Sequence, residues 1–130
     1  DQNSANDQSP NLSIAVQPRY LPDQSDPAKG QYAFAYTVRI TNAGSVPTQL
    51  ISRHWVITDG NGKIVEVKGL GVVGHQPLLA PGQSFEYTSG SQLATPAGTM
   101  QGSYFCVAED GERFEAPIPP FSLAMPRTLH

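Results

Sequence analysis

An antiparallel β-sandwich of the immunoglobulin or fibronectin III type, with seven to eight strands, is the all-β fold this chain of 130 residues predicts, and three observations predict it. Apolar residues recur at every second position in stretch after stretch, while no segment holds a helical period over two turns. Twelve Gly and twelve Pro are spread between those stretches rather than clustered, as turns between short strands require. Trp55 falls on the third predicted strand, where such folds bury a tryptophan, and Tyr104-Phe105-Cys106 has the tyrosine-two-before-cysteine order of a tyrosine corner.

The elements follow in order. Residues 1–10 (DQNSANDQSP) are polar and lack aromatics, so they cannot bury enough to order themselves; a disordered arm is expected there and a single domain over 11–130. Leu12, Ile14 and Val16 alternate with polar or small residues, and Pro18, lacking an N–H, puts that strand at a sheet edge. Pro22 to Lys29 reads as loop. Tyr32, Phe34, Tyr36, Val38 and Ile40 then mark one core face of a strand over Gln31 to Thr41, the clearest period of two in the chain. Asn42-Ala43-Gly44 ends it. In Gln49 to Thr58, strict alternation groups Ile51, Arg53, Trp55 and Ile57 on one face and Leu50, His54 and Val56 on the other, so the strand is central. Asp59-Gly60-Asn61-Gly62 is a hairpin turn, and Lys63 to Lys68 returns as a lysine-bearing edge strand. Phe85 and Tyr87 alternate with Glu86 and Thr88, Thr95 to Gly98 turns the chain, and Gly102, Tyr104, Cys106 and Ala108 share a face. Asp110-Gly111 makes a last hairpin into Phe114 to Ala124, which Pro117, Pro119 and Pro120 confine to an edge or a bulged course.

Composition narrows the partners. A net charge of −3 with only 15% charged residues supplies no field for nucleic acid or anionic lipid, so neither is expected. Cys106 is the single cysteine, which excludes an intrachain disulfide and a thiolate zinc site. No apolar run approaches 18 residues and no charged-then-apolar leader opens the sequence, so a cytoplasmic location is expected.

One motif carries a chemical suggestion. Gly69-Leu70-Gly71-Val72-Val73-Gly74 spells G-x-G-x-x-G, which binds dinucleotide pyrophosphates where a helix opens at its last glycine. Pro77 and Pro81 deny that helix, and no Gly-Lys-Ser/Thr triplet makes it a P-loop. Two readings stand: Gly69, Gly71 and Gly74 let a loop bend against a neighbouring strand, or backbone N–H groups over 69–75 cradle a phosphate or pyrophosphate, helped by Lys68, His75 and Arg53. Amides converging on an open concavity favour the anion, and amides already hydrogen-bonded favour the scaffold.

Other constellations are thin. His54, His75 and His130 show no short spacing that promises a metal site, and Glu109, Asp110, Glu112 and Glu115 read as a solvated hairpin. No G-x-S-x-G elbow occurs, and Cys106 on an apolar strand is a small buried hydrophobe. No catalytic residue, metal or cofactor is therefore called for.

With Tyr32-Ala33-Phe34-Ala35-Tyr36, Arg53-His54-Trp55, Thr58 to Gly62, the run GLGVVGHQP over Gly69 to Pro77, Leu79-Ala80-Pro81-Gly82, Tyr87 to Gly90, Met100 to Tyr104 and the ending Pro126 to His130, the chain resembles the bacterial ApaG family over residues 11 to 130. The resemblance implies a fibronectin III-like sandwich and a link to cobalt and magnesium efflux. It also implies a gene neighbourhood with a diadenosine tetraphosphate hydrolase and an RNA dimethyltransferase. Eukaryotic proteins similar to the family use the domain as an interaction part of an F-box protein and a polymerase delta interacting protein. The expectation is a non-catalytic module that docks an unidentified protein partner through Arg53, His54, Lys68, Gly69, Gly71, Gly74, His75 and Gln76, on a core of Phe34, Tyr36, Trp55 and Tyr104. The alternative is a sensor of phosphate, pyrophosphate or nucleotide-type anions at 69–74.

Overall fold

The computed structural model describes residues 10 to 126. Its strands are β1 (Leu12–Tyr20), β2 (Tyr32–Asn42), β3 (Thr48–Asp59), β4 (Ile64–Leu70), β5 (Leu78–Leu79), β6 (Ser84–Leu93), β7 (Ala97–Ala108) and β8 (Arg113–Ala124). They form two antiparallel sheets, β1-β2-β6 and β4-β3-β7-β8, with the two-residue β5 also on β3. The segment read as loop between β1 and β2 holds two 3-10 turns, Pro22–Gln24 and Pro27–Lys29, each opened by a proline whose fixed φ suits that position. The arm expected over residues 1–10 lies, but for Pro10, outside the described residues.

Proline placement follows from hydrogen bonding. Pro18 sits on β1 and Pro117, Pro119 and Pro120 on β8, each strand at the edge of its sheet. Pro119 and Pro120 fall where β7 and β8 slip register, between the pairs Met100↔Phe121 and Gly102↔Ile118. β1 packs across to β8 and closes one side of the sandwich. On the other side the larger sheet extends a strand further, and β4 is left exposed along nearly its whole length.

The inner faces meet in one core built on Phe34, Tyr36, Val38 and Ile40 of β2, Trp55 of β3, Met100, Tyr104 and Cys106 of β7, and Leu123 of β8. The Trp55 ring lies 5.2 Å from Tyr36, 5.9 Å from Phe121 and 6.4 Å from Tyr104, centroid to centroid, so the tryptophan joins both sheets.

Three local expectations are corrected. Strict alternation separates Leu50 from Trp55, yet both are in the core at 0% and 2% exposure, because a bulge between Leu50 and Ser52 adds a residue and resets the faces. The tyrosine corner is absent, since the Tyr104 hydroxyl meets the Tyr87 hydroxyl at 2.5 Å instead of turning to the backbone. β7 begins at Ala97, inside the stretch expected to turn, because Gly98 pairs with Asp59 across a backbone approach that leaves no room for a side chain.

Candidate functional site

The glycine stretch is part strand and part hairpin. Gly69 and Leu70 belong to β4, opposite Arg53 and Ser52. The chain then reverses in a two-residue turn in which the Val72 N–H donates to the His75 carbonyl at 2.8 Å and the His75 N–H returns to Val72 at 2.9 Å. Val73 and Gly74 are its central residues, both left-handed at φ 44° and 84°, which is the type I′ geometry. A β-branched residue rarely adopts that φ, and Val73 is held there by its neighbours. Val72, 0% exposed, anchors the hairpin in the core.

The bulge in β3 fastens this hairpin. It adds Ile51 to the strand, and the Ile51 carbonyl accepts the Gly71 N–H at 2.8 Å and Gln76 Nε2 at 2.9 Å. Gln49 Nε2 donates to the Gln76 carbonyl at 3.0 Å. The amides of Gly71, Val72 and His75 are thus hydrogen-bonded within the protein rather than converging on a ligand.

Each glycine answers a different local demand. A Cβ on Gly69 would lie 2.8 Å from the Arg53 guanidinium nitrogens, one on Gly71 would lie 2.4 Å from the His75 carbonyl oxygen, and Gly74 has open space but a left-handed φ. The helix that gives G-x-G-x-x-G its phosphate chemistry is missing, and the chain runs on into β5.

The predicted site residues divide between surfaces. Strand alternation sends His54 and Lys68 to the outer face of the larger sheet and Arg53 to the inner one. On the outer face a groove of about 630 Å³ reaches Arg53, His54, Lys68 and Gly69 beside Ser103, Phe105 and Glu115. There His54 Nε2 lies 2.7 Å from Glu66 Oε1, an ion pair when the imidazole is protonated. His75 instead sets its ring against Phe85 of the smaller sheet, 5.7 Å between centroids and tilted by 58°.

Beneath the hairpin lies a cavity of about 150 Å³, lined by Tyr36, Arg53, Trp55, Val72, Val73, Tyr87 and Ser89. Arg53 Nη1 donates to the carbonyls of Leu70 and Gly71, each at 3.0 Å, so the guanidinium ties β3 to the hairpin root. Burial raises the pKa of Tyr36, and pushes Tyr87 up to about 12, while the Arg53 charge and hydroxyl bonds to Ser89 and Tyr104 respectively work the other way. Tyr104 is pushed higher still, by burial first and by its tyrosine neighbours. Burial also raises Cys106 to about 12, which leaves an inert thiol.

Sequence reasoning did not single out Tyr87 or Ser89, whose inward course on β6 depends on pairing with Val38 and Tyr36. It also passed over Ile64, Val65 and Val67, which with Leu70 of the glycine stretch stand 62%, 45%, 37% and 74% exposed on β4. Their signal was legible: an edge strand that is apolar on both faces is unusual. Among the described residues no group of three or more His, Cys, Asp or Glu side chains gathers, and no helix is long and apolar enough to cross a membrane.

The chain is similar in sequence and in fold to known proteins. An ApaG domain family model matches residues 22–108. Protein ApaG of Ralstonia nicotianae is 68% identical over 119 residues, covering 92% of this chain and 96% of the relative, and Protein ApaG of Bordetella pertussis is 67% identical over 119 residues, covering 92% and 91%. A Bordetella pertussis crystal structure bearing the name ApaA is similar at a TM-score of 0.90 and 64% identity, over 93% of this chain and 98% of that one. With the family model matching most of the chain and relatives matching nearly all of it, this chain belongs to the ApaG family.

Proposed function

We propose that the domain is a non-catalytic interaction module whose docking element is the exposed edge strand β4. The observation that carries this reading is the pairing of an open edge with uncovered apolar side chains, Ile64, Val65, Val67 and Leu70. An open edge offers a row of unpaired backbone groups, and most monomeric domains blunt such edges. Lys63, Glu66 and Lys68 do so only in part, since the intervening positions are apolar. The occupant of this reading is an extended segment of a partner protein that adds a strand beside β4, with apolar side chains at alternate positions over Val65 and Val67. His54 and Lys68 in the adjoining groove would then set polar specificity. We take this to occur in the cytoplasm, and place any connection with cobalt and magnesium homeostasis in the partner.

Val65→Lys with Val67→Lys tests the reading, because both side chains are already solvent-exposed and the variant should fold. Partner binding should be lost with the melting temperature nearly unchanged, and the amides of β4 should gain protection from hydrogen exchange in the wild-type complex. Binding that survives in the variant, or protection confined to other strands, would contradict it. Light scattering on the isolated domain separates a second copy of this chain as occupant, since a β4-dependent dimer would replace the proposed partner.

An anion held by backbone amides of the glycine stretch is the weaker reading, because three of those amides already have acceptors.

A further inference from the structure

The geometry points to the cavity beneath the glycine hairpin as a site for one small oxyanion, a phosphate ion or a single carboxylate, held by Arg53 with the hydroxyls of Tyr36 and Ser89. It goes beyond edge docking and does not depend on it, since β4 can pair with a partner whether or not the cavity is filled.

Charge is the first argument. The ion pairs of the described residues are Lys29–Asp26, Arg39–Glu86 and His54–Glu66, so none engages Arg53, and the cavity lining contains one cation and no carboxylate. A partly buried guanidinium among aromatic rings and valines is costly without a counter-charge, and Leu70 and Gly71 give it only carbonyl dipoles.

Donor chemistry is the second. Tyr36 and Ser89 face each other across the β2–β6 ladder on the inner face, which places two hydroxyls in the same cavity as the guanidinium. Guanidinium and hydroxyl donors on one side of an oxyanion give charge-assisted hydrogen bonds, the strong kind. Tyr36 keeps its proton to a higher pH than an ordinary tyrosine because it is buried, so it can act as donor throughout the neutral range.

Size is the third. At about 150 Å³ the cavity suits a group of a few atoms, and falls short of the roughly 300 Å³ at which pockets for larger ligands begin. Val72 and Val73 of the hairpin complete its lining. Gly69 belongs to the design, because any Cβ there would displace the guanidinium.

The test is an amide-shift titration of the whole domain with sodium phosphate and, separately, with sodium acetate at constant ionic strength. Saturable shifts at Val73, Tyr87 and Ser89 are expected. Phosphate alone acting identifies a free phosphate site, whereas acetate acting as well identifies a carboxylate site open to an acidic side chain. Arg53→Gln should weaken binding by about tenfold or more, the loss of a charge-assisted bond. Lys68→Gln, on the outer face, should leave it unchanged. If Arg53→Gln does not fold, Gly69→Ala decides, since its Cβ meets only the movable end of Arg53. Absence of a saturable response to both anions, unchanged affinity in Gly69→Ala, or equal loss in Lys68→Gln overturns the proposal.

Discussion

Single residues carry the difference between the letters G-x-G-x-x-G and the chemistry they suggest. Gly71 has both a left-handed φ and a backbone carbonyl where its Cβ would be, so Gly71→Ala should cost about 3 kcal/mol. Gly74 has the φ alone, and Gly74→Ala should cost about 1 kcal/mol. Urea unfolding of the two variants checks the order; a reversed order would mean that the hairpin is not built as described. Sequence could show that a helix was missing after Gly74, because Pro77 and Pro81 are visible as letters. That Gly69 makes room for Arg53 was not legible, since it depends on a cross-strand partner 16 positions earlier in the chain.

At the scale of elements, β2 was readable almost residue by residue, because both of its neighbours pair without irregularity and its alternation survives intact. β3 was not. Its bulge at Ile51 has no sequence signal, and one added residue moves Leu50 to the face of Trp55 while freeing a carbonyl to hold the hairpin. The split of Arg53 from His54, by contrast, follows from plain alternation, and the expected single docking surface overlooked it. At Gly102 of β7, opposite Trp55 of β3, a Cβ would collide with the His54 carbonyl. Gly102→Ala should therefore cost about 4 kcal/mol or more by forcing the central ladder apart. A thermal melt within a few degrees of wild type would show that the two strands are not so close.

For the whole molecule, the number of strands and the sandwich were legible from periodicity and turn spacing, while the overhang of β4 was not, because sheet widths depend on which strand crosses to which sheet. Trp55 ties the sheets together, and Trp55→Ala should cost about 3 to 5 kcal/mol, enough to unfold a marginal domain. The buried hydroxyls and thiol predict alkaline sensitivity. Unfolded, Tyr87 and Tyr104 would ionise near 10 and Cys106 near 9, whereas folded they hold their protons to about 12 or beyond. Above those unfolded values the unfolded chain binds fewer protons than the folded one, so stability falls by about 1.4 kcal/mol per pH unit for each group. Stability against urea should thus decline from about pH 9 upward, with no contribution from these groups on the acid side. A flat profile between pH 9 and 12 would place the hydroxyls in water.

The glycine stretch is knitted to the sheet by its own amides at Gly71, Val72 and His75, and the proposed anion is left to side chains below it. Amide hydrogen exchange on the ligand-free domain tests this most directly. The amides of Gly71, Val72 and His75 should exchange as slowly as those of β3, and Val73 and Gly74, at the turn, far faster. Rapid exchange at all five would mean that the loop stands open with its donors free, and would return the phosphate cradle to first place.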